Sequence, residues 1–182
     1  MRKEKLRALI LAQTFLALSL GLIGPIYSIY FEKITNNTAL VPILIGIYWV
    51  IIGILEPIFG HHIDRIGKAK SYLIGSVTEA AAILLYPIAD NVIILLLAQI
   101  LAAIGYSIQT PASYALMADL TSKKSRGKEM GKIDGMFNIA YGISAIISAG
   151  VISLFGFGYL FIISAAVYIL SGLVVVRYIY ED

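Results

Sequence analysis

The sequence predicts an all-α integral membrane protein of six transmembrane helices, and three observations carry that prediction. Hydrophobic residues make up 59% of the 182 residues and charged ones only 14%, where a soluble domain is about a quarter charged. The apolar residues fall in blocks of about 20, the length a helix needs to cross a hydrocarbon core of roughly 30 Å. The Lys and Arg behind the net charge of +3 gather in alternate loops. Cysteine is absent, so disulfides and thiolate metal sites are excluded.

The first block, 6–31, is too long for the apolar core of a signal peptide and is expected to stay as a helix. A polar stretch over 32–38 separates it from the second, 39–59. The loop 60–70 leads to the third, 71–89, and the pair Asp90-Asn91 turns the chain into the fourth, 92–117. After the basic loop 119–128 comes the fifth, 129–153. Leu154, Phe155 and Gly156 precede the sixth, 157–177, and the whole of 1–182 forms one domain. With the N-terminus inside, every Lys and Arg except Lys33 falls on the cytoplasmic side. Such bias sets orientation, because these charges resist translocation. Both termini are therefore expected in the cytoplasm and the protein in the plasma or inner membrane. Nucleic-acid binding by the basic loops is the weaker reading, since anionic headgroups are their nearest partners.

Six helices can divide into two inverted triplets. Gln13 precedes Pro25 and Gln99 precedes Pro111 by the same twelve residues, in the first helix of each triplet. The second helices carry small residues every seven positions: Gly46, Gly53 and Gly60 in one, Gly135, Gly142 and Ala149 in the other. A small face lets helix backbones approach closely in lipid, so these are expected to be packing helices. The third and sixth helices look plainer and are expected to support the rest.

Polar stripes run along three helices: Gln99, Tyr106, Gln109 and Ser113 on the fourth, Asp134, Asn138, Tyr141 and Ser148 on the fifth, and Gln13 and Ser28 on the first. Polar groups are costly against lipid, so they face either neighbouring helices or a wet cavity. Three stripes together favour a pathway lined by Gln13, Gln99, Tyr106, Gln109, Asn138 and Tyr141. Acidic groups lie at Glu56, Glu79 and Asp134, with no Lys or Arg deep in any span. Carboxyls in that setting are candidates for coupling to protons or cations, and Glu79 is the most deeply placed. His61-His62 is assigned no metal site. No nucleophile and base pair, metal cluster or phosphate loop appears, so neither an enzyme nor a cofactor is expected.

The loop Gly60-His61-His62-Ile63-Asp64-Arg65-Ile66-Gly67-Lys68-Ala69-Lys70 resembles the G-x-x-x-D-R/K-x-G-x-R/K-R/K signature of major facilitator superfamily transporters, with Ala69 its one departure. Pro57 and the run from Ala118-Asp119-Leu120 through Arg126-Gly127 to Gly131 are similar to the same family. The resemblance covers essentially the whole chain and implies the first six of twelve helices, with Gly60, Asp64, Arg65, Gly67, Lys68, Lys70 and Arg126 as a cytoplasmic gate. Gln99 stands where many proton-coupled drug carriers have an arginine, and Ile146-Ile147 replaces the Gly-Pro pair of the antiporter motif.

Such carriers rock two six-helix halves about a midplane site, so one half needs a partner. The expected partner is a second copy, a homodimer pairing Gly46 and Gly53 of one chain with Gly135 and Gly142 of the other. The expected function is then secondary transport of a small solute, with protons as a candidate co-substrate. The alternative is a non-transporting half: the isolated first half of a longer carrier cut after Asp182, or an assembly partner of another half.

Overall fold

A computed structural model describes residues 2–179; the end at Asp182 lies outside the described residues. Those residues form α1 (Arg2–Ile23), α2 (Tyr27–Thr35), α3 (Leu40–Ile66), α4 (Lys68–Leu85), α5 (Val92–Leu120), α6 (Arg126–Phe155) and α7 (Phe157–Ile179). Single 3₁₀ turns lie at Gly24–Ile26 and Tyr86–Ile88. They make six helices long and apolar enough to cross a membrane, because α1 and α2 run on through the first turn as one rod, Arg2–Thr35. Lipid offers no backbone hydrogen-bond partners, which is why apolar blocks of this length become helices.

The helix ends follow from local chemistry. Asn36 adopts a left-handed conformation (φ 49°) and returns its N–H to Glu32 O at 2.8 Å, stopping α2. The Asn91 side chain accepts from the N–H groups of Ile93 and Ile94 at 2.9 and 3.1 Å, starting α5. Gly67 (φ 96°) and Gly156 (φ 80°) make the sharpest reversals, each a single residue between two helices. Glycine adopts positive φ without the Cβ penalty. The loop expected over 60–70 is therefore mostly helix: α3 continues to Ile66 and α4 begins at Lys68. The expectation took the edge of the apolar block for the end of the helix, yet nothing from Gly60 to Ile66 forbids helical geometry.

α1 packs on α6 and α7, α5 packs on α3 and α4, and α4 packs on α7. The four helices α1, α4, α5 and α7 form the interior. In α3 and α6 only 17% of the apolar stretch is buried, against 44% to 56% in the other spans. The core has two layers. One surrounds Tyr30, Phe31, Tyr86, Phe161 and Tyr168 toward the Asn36 end; the other surrounds Leu9, Tyr72, Leu116 and Ile133 toward the basic end. Lys33, the cation at the far end, sits over the Phe157 ring at 5.2 Å.

α4 and α7 are not the plain supports the sequence suggested. α4 buries Tyr72, Ser76 and Glu79, and α7 buries Ser164, Tyr168 and Ser171. Ser19 and Ser164 clasp α1 to α7, their hydroxyls 2.7 Å apart and each donating to the other's carbonyl, at 2.9 and 3.1 Å. Hydrogen bonds between membrane helices contribute about 0.6 kcal/mol on average and up to roughly 2. Several such bonds in one interior fix which helix faces inward.

Candidate functional site

The centre of the site is set by a close crossing of α4 and α5. A Cβ on Gly105 would stand 2.6 Å from the Glu79 backbone nitrogen, and one on Gly75 would stand 2.7 Å from Gly105 O. No side chain fits there, so the two backbones touch. Glu79, one turn beyond Gly75, is pressed between the helices with 2% of its surface exposed. Its Oε2 has no hydrogen-bond partner. A buried carboxyl oxygen without a partner is costly and rare in folded proteins.

Glu79 opens into a groove of about 350 Å³. Five aromatic side chains line it: Tyr27, Tyr48, Trp49, Tyr106 and Tyr141. Leu20, Gly24, Ser28, Ile45 and Gln99 complete the wall, and no Lys or Arg is among the lining residues. Tyr48 and Trp49 stand edge-on to one another at 5.4 Å, and each ring lies 6.2 Å from that of Tyr106. The volume lies within the 300–1,000 Å³ range usual for small-molecule sites. Aromatic faces and one carboxyl attract positive charge.

A second chamber of about 180 Å³ lies toward the basic end, with Gln13, Gln109, Thr110, Ser113, Tyr114 and Asp134 in its wall. Its glutamines also tie helices together. Gln13 Nε2 donates to Ser113 Oγ at 2.7 Å and lies 3.3 Å from Tyr72 Oη. The Tyr72 hydroxyl pairs with Ser171 Oγ at 2.8 Å, and Ser171 donates to Ala12 O at 2.8 Å. Gln109 Nε2 donates to Ser76 Oγ at 2.9 Å, while the Tyr168 hydroxyl donates to Gln109 Oε1 at 2.6 Å. In the larger chamber, the Tyr86 hydroxyl donates to Gln99 Oε1 at 2.8 Å.

Of the pathway residues expected from the sequence, Gln99, Tyr106 and Tyr141 line the larger chamber and Gln13, Tyr106 and Gln109 the smaller. Asn138 is exposed and lines neither. Of the acidic residues, Glu79 lines the larger chamber, Asp134 the smaller, and Glu56, half-buried on α3, lines neither. Sequence reasoning missed Tyr27, Tyr48 and Trp49. Their signal was three aromatic residues inside the spans, not in the belts at the membrane surface where such rings gather.

The gate motif sits at the α3–α4 turn. Gly60 lies within α3, Asp64 and Arg65 are exposed on its last turn, and Gly67 makes the reversal. Lys68 pairs with Asp119 at 2.7 Å, joining the start of α4 to the end of α5. Lys70 is exposed. Arg126 donates to Ala118 O at 3.0 Å and to Thr121 Oγ1 at 3.3 Å, closing the α5–α6 loop on itself. Arg2 pairs with Glu129 at 3.6 Å, linking α1 to α6. A Cβ placed on Gly46, Gly53, Gly135 or Gly142 meets no atom within 4 Å, so both small-residue stripes face away from this chain's own core.

The Major Facilitator Superfamily model matches residues 9–182. Multidrug resistance protein 2 of Bacillus subtilis is 24% identical over 165 residues, 90% of this chain and 41% of that protein. Multidrug resistance protein 1 of the same organism is 23% identical, over 77% of this chain and 36% of its own length. Quinolone resistance protein NorA of Staphylococcus aureus is 19% identical, over 68% of this chain and 32% of its own length. The chain thus spans about two-fifths or less of these relatives.

Proposed function

Because the chain belongs to the Major Facilitator Superfamily, we propose that it works as one six-helix half of a secondary carrier that moves a small solute by alternating access. The observation that carries this is Glu79, a buried carboxyl whose Oε2 has no hydrogen-bond partner, in the wall of a 350 Å³ aromatic groove. Such a group in a wet groove is a place for a proton or a cation. The solute class that fits is neutral or cationic and amphipathic, in keeping with relatives named for multidrug and quinolone resistance. Anionic solutes would meet a carboxyl and no cation in this wall.

The helix pairings support two inverted triplets. Exchanging α1 with α5, α3 with α6 and α4 with α7 turns the α1–α6 contact into α5–α3 and the α1–α7 contact into α5–α4, and leaves α4–α7 unchanged. Clustering of cations at one end supports both termini in the cytoplasm. The partner is a second copy, with Gly53 on α3 of one chain meeting Gly142 on α6 of the other. Asp64 then lies near the partner's α6 N-terminus, where an anion is stabilised. A second reading rests on coverage: the match spans 41% of Multidrug resistance protein 2, close to the share that one half of a longer carrier would span.

Crosslinking tests the partner. The chain has no cysteine, so Gly53→Cys and Gly142→Cys can be introduced singly and together in native membranes. A dimer band only with both substitutions supports the homodimer; no band at these or neighbouring positions overturns it. For transport, purified protein in liposomes should take up lipophilic cations above the rate of empty liposomes. Equal uptake across a broad solute panel removes the carrier reading.

A further inference from the structure

Two residues, Leu20 on α1 and Tyr106 on α5, line both chambers. A third side of the boundary is carried by α6, where Phe137 lines the smaller chamber and Tyr141 the larger, their rings stacked at 6.5 Å and 18°. The fourth is α3, whose Tyr48 and Trp49 rings flank Tyr106 at 6.2 Å. The groove is therefore divided by a collar of apolar and aromatic side chains, with Glu79 on one side and Asp134 on the other.

Three sides of the collar are fixed by backbone contact. A Cβ on Gly21, next to Leu20, would collide with the backbone of Tyr141, and one on Gly24 with the Tyr141 hydroxyl, so α6 is locked onto α1 at Gly21, Gly24 and Tyr141. Gly105, next to Tyr106, is locked onto α4 at Gly75 and Glu79. Packed backbones of this kind do not deform continuously. The Tyr106 ring is different: it is half-buried and faces α3, which is poorly embedded in this chain. Rotation about its side-chain torsions is the small motion left.

We infer that the Tyr106 ring is the movable divider of the groove and sets which solutes pass between the Glu79 chamber and the Asp134 chamber. This rests on the carrier reading, with a second half covering the open side of the groove. A solute that fills the 350 Å³ chamber cannot fit the 180 Å³ one. It crosses only when the ring swings aside and the two volumes merge. Tyr106 is thus a specificity-determining residue acting by size, whereas Glu79 acts by charge.

The test uses thiol labelling in sealed membrane vesicles, with an impermeant cationic methanethiosulfonate applied from the Ser28 side. Ser28→Cys reports the larger chamber and Asp134→Cys the smaller. With Tyr106 in place, Asp134→Cys is expected to react at least about tenfold more slowly than Ser28→Cys; Tyr106→Ala should remove most of that difference, and Tyr106→Phe should keep it. An unchanged melting temperature of each variant in detergent reports that the fold survives, and Tyr106→Val replaces Tyr106→Ala if it does not. Equal rates at the two cysteines with Tyr106 present, or no acceleration on truncation, overturns the inference. Solute uptake measured on the same vesicles separates the two ideas: absent uptake with a Tyr106-dependent labelling difference sinks the carrier and leaves the divider.

Discussion

Glu79 and the glycines around it show how single residues set this site. The carboxyl is buried because Gly75 and Gly105 let two backbones touch, its Oε2 is left without a hydrogen-bond partner, and the residue forms part of the wall of the aromatic groove. Replacing Glu79 by Gln keeps the shape and removes the ionisable group. Uptake of a cationic solute should fall at least about tenfold, while the melting temperature in detergent moves by less than about 4 °C, the shift produced by roughly 1 kcal/mol. Loss of both would assign Glu79 to stability alone. Gly105→Ala should cost about 1–3 kcal/mol, because the added methyl meets backbone and not a yielding side chain. Gly53→Ala, with open space around it, should stay within about 0.5 kcal/mol for the monomer. Melting curves of the two variants make the comparison.

Among the helices, burial separates two kinds. α1, α4, α5 and α7 are held by glycine contacts and interhelical hydrogen bonds, while α3 and α6 keep most of their apolar stretches exposed. Lipid explains exposed Ile and Val on those faces; it does not require the small-residue stripe that each also carries. The turn between α3 and α4 depends on one residue. Gly67 at φ 96° has no tolerated Cβ conformation nearby, so Gly67→Ala should cost about 1–3 kcal/mol. Urea unfolding in mild detergent would measure it, and a neutral result would mean the turn can relax. The stripes of α3 and α6 and the polar stripes of α1 and α5 were legible at periods of seven and of three and four. The buried stripes of α4 and α7 have the same four-then-three spacing, at Tyr72, Ser76 and Glu79 and at Ser164, Tyr168 and Ser171. In sequence such serines do not mark a buried face, because serine in an apolar helix can bond back to its own carbonyls, as Ser76 does to Tyr72 O.

For the molecule as a whole, charge placement predicts orientation. Lys68 and Lys124 are expected to be shielded from impermeant amine reagents in intact cells and labelled after permeabilisation; labelling of intact cells would invert the topology. The membrane class and the family were legible because long apolar blocks admit only one backbone solution in lipid, and because the Gly60 to Lys70 signature lies in contiguous residues. The groove was legible only in part. Glu79, Gln99, Tyr106 and Tyr141 lie in its wall, yet Tyr27, Tyr48 and Trp49 make up much of it.

By itself the sequence determined six apolar spans, the crowding of cations at alternate turns and the positions of small and polar residues along each helix. These are properties of one helix at a time, governed by length, period and the cost of moving charge through lipid. Which helices touch was decided in three dimensions, where the Gly75–Gly105 contact turned Glu79 from one acidic residue among three into the buried carboxyl of the groove. The reason is geometric: a period tells which residues share a face, but only a neighbour's backbone decides whether that face meets protein, lipid or an open cavity.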